Sequence, residues 1–299
     1  MKNKILTLLL LLIVSIGNTQ PPATKKLFPE GTVFHPDIPY AGDTLKKHLL
    51  DLYLPAHVTK DVPLVILIHG GAWKLNDKYA DMNYMKNTIK TFLDQGYALA
   101  SIDYLFSTTA IFPAQIKDCY QAVDFLYNNA SKYKINKNKF ALIGFSAGGH
   151  LASLLGLSLN NNITEFYPDK IKPSFSIKAV LDFYGPSDFL LFFGNGTPDQ
   201  TSNPISTLLG VSPLARPDIS NFASPVTYVD KNDPPFFIVH GEKDQDVPPA
   251  QSYLLKSYLD LAKVKNELTI VKSAPHYGEM FDQEEVRTKL FSFLNACMK

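Results

Sequence analysis

The apolar run Phe140-Ala141-Leu142-Ile143 leads directly into Gly144-Phe145-Ser146-Ala147-Gly148-Gly149, and Ala147 to Leu159 then reads as a helix. A short buried strand that turns sharply into a helix around Gly-x-Ser-x-Gly is the setting of a nucleophile elbow. The serine sits on a strained turn, where a side chain two residues to either side would strike the adjoining strand and helix, so glycine is required there. The turn also puts Ser146 at a helix N-terminus, where the Ala147 N–H and the helix dipole meet developing negative charge. A plain Gly-rich loop is the alternative. The strand before the motif and the helix after it separate the two.

The rest of the chain repeats that rhythm. Leu50 to Leu54 alternates at period two and ends at Pro55, as an outer antiparallel strand does. Leu64 to Ile68 is continuously apolar, the pattern of a strand covered on both faces. Further strands are expected at Tyr97–Ile102, Ala179–Phe183, Phe236–Val239 and Leu268–Val271. Helices are expected over Tyr79–Gln95 with Gly96 as its stop, from Pro113 through Tyr127, over Gln251–Ala262 and over Gln283–Cys297. Strand and helix alternate throughout, which predicts an α/β architecture with a doubly wound, mostly parallel sheet. Two segments break the alternation: a polar loop at Asn160–Ser176, and an insertion at Ser187–Asp233 rich in Pro, Ser and Phe. The insertion follows a strand and so lies at the carboxyl edge of the sheet, where open α/β sheets bind ligands. It reads as a small cap or a set of pocket-wall loops. Its run Phe189-Leu190-Leu191-Phe192-Phe193 fits either a pocket wall or a core helix face.

The N-terminus stands apart. Met1-Lys2-Asn3-Lys4, the Leu-rich stretch Ile5 to Ile16 and the small or polar Gly17-Asn18-Thr19-Gln20 have the layout of a secretory signal peptide, so residues 1–19 are read as a signal and 20–299 as one domain. A span would need about twenty apolar residues, which leaves a retained anchor as the alternative and no stable membrane span after cleavage. Export to the periplasm or medium is therefore expected. Gln20 to Phe34 is Pro-rich and reads as a loosely held arm. With 45% hydrophobic residues the chain has enough apolar mass for one large core. A formal net charge of +1, without a basic run or face, argues against nucleic acid as a partner. Cys119 and Cys297, the two cysteines, fall in expected amphipathic helices and read as free thiols, with one disulfide as the alternative. Sequons stand at Asn162 and Asn195, a pattern that also arises by chance.

A serine nucleophile needs a base, an orienting acid and an oxyanion hole. With the order serine, acid, histidine, the base comes by elimination from the histidines after Ser146. His150 lies one turn into the nucleophile's own helix, where it packs or caps, and His240 precedes the acid candidates of its loop. His276 remains, in the loop Ser273-Ala274-Pro275-His276-Tyr277-Gly278. The acid lies in His240-Gly241-Glu242-Lys243-Asp244-Gln245-Asp246-Val247-Pro248, where the residues alone leave Asp244 and Asp246 both open. His69-Gly70-Gly71-Ala72-Trp73 follows the Leu64–Ile68 strand, and its glycines allow backbone N–H groups to face the site, as in esterase oxyanion loops. His69 braces that loop without transferring a proton, and Trp73 is a pocket wall or core.

These motifs, with Phe112-Pro113-Ala114-Gln115 and Ser224-Pro225-Val226, resemble the α/β-hydrolase carboxylesterases related to hormone-sensitive lipases, above all their feruloyl and acetyl-xylan esterase-like branch. The likeness covers nearly all of the chain beyond about Asp43. It implies the α/β-hydrolase fold, the triad Ser146, Asp244 and His276, and oxyanion donors on Gly71, Ala72 and Ala147. It selects Asp244 as the first aspartate after His-Gly-x-x. Two residues depart from the pattern: Phe145 stands where relatives usually carry an acid, and Leu105 follows Tyr104 where many have arginine. Phe145 and Trp73 are the candidate pocket residues. The expected activity is a serine esterase acting on small-molecule or carbohydrate esters, with no metal and no cofactor. Kynurenine formamidases share the His-Gly-Gly-x-Trp loop, so amide cleavage is an alternative. A non-catalytic binding protein is another, opposed by the complete triad, and an exopeptidase would need an added recognition domain.

Overall fold

The computed structural model describes residues 26–193 and 203–299. The expected signal segment and the Asn195 sequon lie outside the described residues. The strands β1 (Val33–Pro39), β2 (Leu49–Leu54), β3 (Val62–Ile68), β4 (Ala98–Ile102), β5 (Ile135–Phe145), β6 (Ile177–Phe183), β7 (Phe236–Gly241) and β8 (Asn266–Val271) form one sheet in the order β1-β2-β4-β3-β5-β6-β7-β8. β1 and β2 pair antiparallel to their neighbours, and every pairing from β4 through β8 is parallel.

Alternation along β3 explains why both faces need helices. Leu64, Ile66 and Ile68 point into one core with Cys119 and Val123 of α2 (Ala114–Asn128), Leu151 and Leu155 of α3 (Ala147–Ser158), and Leu255 of the later helix Ala250–Leu261. Val65 and Leu67 point the other way, toward Ile89 and Phe92 of α1 (Lys86–Asp94) and Leu290 and Leu294 of the final helix Glu284–Cys297. All these side chains are fully buried, the aliphatic and aromatic ones each contributing roughly 1.5–3 kcal/mol of apolar transfer. The doubly wound architecture follows from that two-sided burial. Cys119 is buried, Cys297 half-buried, and both are free thiols.

The Ser187–Asp233 segment carries three short helices among its described residues: α4 (Phe189–Phe193), α5 (Pro204–Leu209) and α6 (Pro217–Ala223). Asn203 caps α5 by accepting the Ile205 N–H at 2.8 Å. The helices over 250–261 and 284–297 are α7 and α8 in chain order.

Two elements differ from expectation. The helix read from Tyr79 begins at Lys86 instead. Asp282 supplies its start from far along the chain, accepting the Asn87 and Thr88 N–H groups at 2.8 Å each. The preceding residues turn back toward the sheet edge and bury Met82 and Met85. And the strand β1 lies outside β2, although its sequence VFHPDIP has no apolar run. It is an edge strand, held by pairing with β2 more than by burial.

Candidate active site

Strand register brings the site together. Ile68 pairs with Gly144, Phe145 with Phe183, Phe183 with Val239, and Gly241 with Val271. The loops after β3, β5, β7 and β8 therefore emerge side by side at the carboxyl end of the parallel strands. They carry His69–Trp73, Ser146, Asp244 and His276 in turn.

Ser146 has φ +53 and ψ −116, outside the regions L-residues favour, a conformation that costs roughly 1–3 kcal/mol. Its N–H donates to the Phe183 carbonyl at 2.9 Å, and its carbonyl accepts the His150 N–H at 2.9 Å. The flanking glycines are sterically forced: a Cβ on Gly148 would lie 2.0 Å from the Ile68 oxygen, and one on Gly144 2.1 Å from the Gly148 oxygen.

His276 Nε2 lies 2.8 Å from Ser146 Oγ, and its Nδ1 lies 2.7 Å from Asp244 Oδ2. The carboxylate accepts only, so Nδ1 carries the proton and the neutral ring turns its Nε2 lone pair to the serine hydroxyl. Asp244 Oδ1 accepts the Asp246 and Val247 N–H groups at 2.9 Å each. Burial raises the Asp244 carboxyl, but hydrogen bonds from His240, His276 and the Val247 N–H outweigh it and hold the group well below the usual carboxylate range. Asp246 is exposed and does not reach His276, so of the two aspartates left open by the sequence Asp244 is the one beside the ring.

His240 is the residue that sequence order set aside. Fully buried, its Nε2 lies 3.1 Å from Asp244 Oδ2 and 2.8 Å from the Val247 carbonyl, and its Nδ1 lies 2.6 Å from Ser252 Oγ. Nε2 faces two acceptors and so bears a proton, and in the neutral ring Nδ1 accepts from the Ser252 hydroxyl. Its place immediately before Gly241 in the acid loop is the sequence signal for this role, since the order serine, acid, histidine speaks only to bases.

The loop after β3 is fixed peptide by peptide. Gly71, Ala72 and Trp73 have φ values of +117, +52 and +56. The Gly70 N–H donates to Asp81 Oδ2 at 2.8 Å, His69 Nδ1 lies 2.6 Å from the Gly70 carbonyl, and the Tyr104 hydroxyl donates to the His69 carbonyl at 3.0 Å. His69 is fully buried, and burial lowers its ring to about 4, so it is a neutral brace. Gly70 lies against the elbow, with its Cβ position 2.9 Å from the Phe145 oxygen. Gly71, Ala72 and Ser146 line one cavity, while Ala147 is the first helical residue directly behind the serine.

His150 does more than pack. The Trp73 indole N–H donates to His150 Nδ1 at 3.2 Å, and His150 Nε2 bonds the Ala223 carbonyl at 2.8 Å. Its ring stacks on Phe189 with centroids 4.8 Å apart. One buried side chain therefore ties the loop after β3, the serine's helix and the insertion together.

The cavity over Ser146 has a volume of about 840 Å³. Trp73 forms part of its wall although only 4% exposed, so wall and core are both correct for it. Phe145 is a correction: it is 1% exposed and packs behind the wall, against Phe183 at 4.9 Å and Tyr84 and Tyr184 at 6.2 Å each. A residue that follows Gly144 inward from a central strand has the core as its only space. Tyr84 and Tyr184 take the wall position instead, joined by hydroxyls 3.2 Å apart, and Tyr84 also donates to Asp81 Oδ1. Burial pushes the Asp81 carboxyl up to about 6 against those hydrogen bonds. From the insertion, Phe192, Asn203, Pro204 and Ile205 close the far side, while Phe189 is fully buried. The aromatic run thus divides between core and wall.

A sheet of this order, with serine, acid and histidine delivered by the ends of β5, β7 and β8, is that of an α/β hydrolase. Within that class the chain belongs to the BD-FAE family, whose sequence profile matches residues 50–259. Esterase LipQ of Mycobacterium tuberculosis is 30% identical over 219 residues, covering 72% of this chain and 50% of that protein. Esterase LipC of the same organism is 29% identical over 268 residues, covering 88% of this chain and 63% of that protein. The chain thus spans half to under two-thirds of the length of these relatives. Among solved structures, a truncated form of a carbohydrate esterase from gut microbiota superposes with a TM-score of 0.78 at 29% identity, covering 90% of this chain and 98% of that one. A bifunctional GH43-CE protein of Bacteroides eggerthii superposes with a TM-score of 0.81 at 34% identity, covering 89% of this chain and 35% of that one.

Proposed function

We propose that this chain is an exported serine esterase that hydrolyses carboxylic esters through an acyl-enzyme, acting on acetyl or feruloyl esters of plant polysaccharide. The observation that carries the proposal is the unbroken hydrogen-bonded row from Ser146 Oγ through His276 to Asp244. Ser146 Oγ attacks the acyl carbon as His276 Nε2 takes its proton, and ionised Asp244 stabilises the imidazolium. N–H groups of Gly71, Ala72 and Ala147 receive the oxyanion. His276 returns the proton to the departing alcohol, and water, activated by the same ring, releases the acid. The sugar-ester part draws support from the carbohydrate esterase likeness at 29% identity. Export rests on the charged start and apolar stretch of residues 1–19.

A panel of p-nitrophenyl acetate to decanoate, methyl ferulate, acetylated xylan and an N-formyl aromatic amine tests the proposal. Short-acyl and sugar-linked esters are expected to be turned over fastest. Faster cleavage of the formamide would favour an amidase, and no turnover of any substrate by folded protein would favour a binding role. Appearance of the protein with its N-terminal segment intact in the cytoplasm would contradict export.

A further inference from the structure

The cavity over Ser146 has a neighbour. A second cavity of about 550 Å³ is lined by Lys243, Gln245, Asp246, Pro275, His276 and Tyr277. Four of these, Gln245, Asp246, His276 and Tyr277, also line the first, so the two abut along the face of His276. Ser146 borders only the larger one. His276 protonates the leaving oxygen in ester cleavage, which requires the alcohol portion within hydrogen-bond reach of its ring. The lobe that borders His276 but not the serine is therefore on the alcohol side.

The chemistry of that lobe is distinctive. Tyr277, at its mouth, is 63% exposed, a large aromatic face open to solvent. Around it stand an ammonium, a carboxamide and a carboxylate on the exposed residues Lys243, Gln245 and Asp246. Among the described residues, none of these four side chains makes a hydrogen bond. Donors and acceptors thus surround a flat apolar plate, with no closed greasy slot for a long alkyl chain. A pyranose ring matches both halves: its C–H face lies on an aromatic ring, and its hydroxyls both donate and accept at the edge.

We infer that this second lobe is a subsite for a pyranose unit of the alcohol portion, with Tyr277 as its stacking platform and Gln245, Asp246 and Lys243 as partners for its hydroxyls. The inference rests on the serine-esterase proposal and names the chemical class that its alcohol side accepts.

The experiment compares kcat/KM for an acetylated xylo-oligosaccharide with kcat/KM for ethyl acetate, whose alcohol is too small to reach the lobe. In Tyr277→Ala the ratio of the two is expected to fall about fivefold or more, the size of a lost aromatic stack. In Tyr277→Trp it is expected to stay within about twofold of the parent, since the plate remains. A ratio unmoved by Tyr277→Ala overturns the subsite. Calorimetric titration of the full-length Ser146→Ala protein with the unacetylated xylo-oligosaccharide reads binding without turnover. Binding that is weakened by adding Tyr277→Ala supports the subsite, and no binding at millimolar sugar overturns it. If the parent protein cleaves neither ester, the esterase proposal fails while the titration still decides the subsite.

Discussion

His240 and His276 share one oxygen of Asp244. His276 Nδ1 approaches Oδ2 to 2.7 Å and His240 Nε2 to 3.1 Å, while Oδ1 is occupied by two backbone N–H groups. The carboxylate cannot swing away from His276 without abandoning three other donors. His240 is in turn fixed by Ser252 and the Val247 carbonyl. It is fully buried, lines neither cavity beside the site and, of the triad, bears on the acid alone. His240→Ala is expected to lower kcat about 10- to 100-fold with KM within about twofold, because alignment of the triad matters most in the transition state. His240→Gln, whose amide N–H can reach the same oxygen, is expected to recover a large part of that loss. A lower melting temperature with unchanged kcat per folded molecule would mean a purely structural role.

The same geometry separates the two aspartates. Asp244→Asn replaces a charged acceptor that faces two ring N–H groups, and is expected to cost about 10⁴-fold in kcat. Asp246→Asn alters an exposed carboxylate that solvent screens, and is expected to cost at most about tenfold on p-nitrophenyl acetate. Steady-state kinetics on folded protein checks both, and a dead Asp246→Asn beside an active Asp244→Asn would reverse the assignment.

Asp81 holds the peptide that precedes the proposed oxyanion donors Gly71 and Ala72. Its Oδ2 takes the Gly70 N–H at 2.8 Å, which orients the His69–Gly70 peptide. Asp81→Ala leaves that donor buried and unpaired and frees the loop, so kcat is expected to fall about 10- to 100-fold with a smaller change in KM. Rescue by Asp81→Asn, whose carbonyl can accept the same N–H, would support this role, and a rise in KM alone would count against it.

His48 makes stability depend on pH. Its Nδ1 lies 2.6 Å from Asp43 Oδ2 and its Nε2 3.4 Å from Asp118 Oδ1. Asp118 foremost, with Asp43, raises the ring to about 9 against the opposing effect of burial. A folded pKa above the unfolded value of about 6.5 means that folding retains a proton in this window. The stabilisation is fully present below about pH 6.5 and is lost as pH rises through about 9. The gap in Tm between the parent and His48→Gln should therefore narrow across that interval, and a gap constant with pH would contradict the ion pair.

Much of this site was legible in the chain because its parts are local. Gly144 to Gly149 carries its own strand, turn and helix, and His69 to Trp73 directly follows a continuously apolar strand. What escaped was held by distant partners. The start of α1 depends on Asp282, so the Tyr79–Met85 stretch, helical by its apolar spacing, turns instead toward the site. β1 exists through pairing with β2, since its own sequence is polar and interrupted. Phe145 is a pocket candidate by sequence, while alternation along β5 sends its side chain into the core with Phe183. The second bond of Asp244, to His240, depends on a loop that folds back on its own strand, and no spacing rule encodes it.

Covalent trapping is the sharpest check on Ser146 as the proposed nucleophile. The protein is treated with a p-nitrophenyl alkylphosphonate, and its intact mass and peptide map are measured beside those of Ser146→Ala. One phosphonyl adduct is expected, on the peptide containing Ser146, with loss of activity in proportion to labelling. No adduct is expected in Ser146→Ala, together with a fall in kcat of about 10⁴-fold or more in that variant. An adduct on another residue, or near-parental turnover by folded Ser146→Ala, would contradict that role.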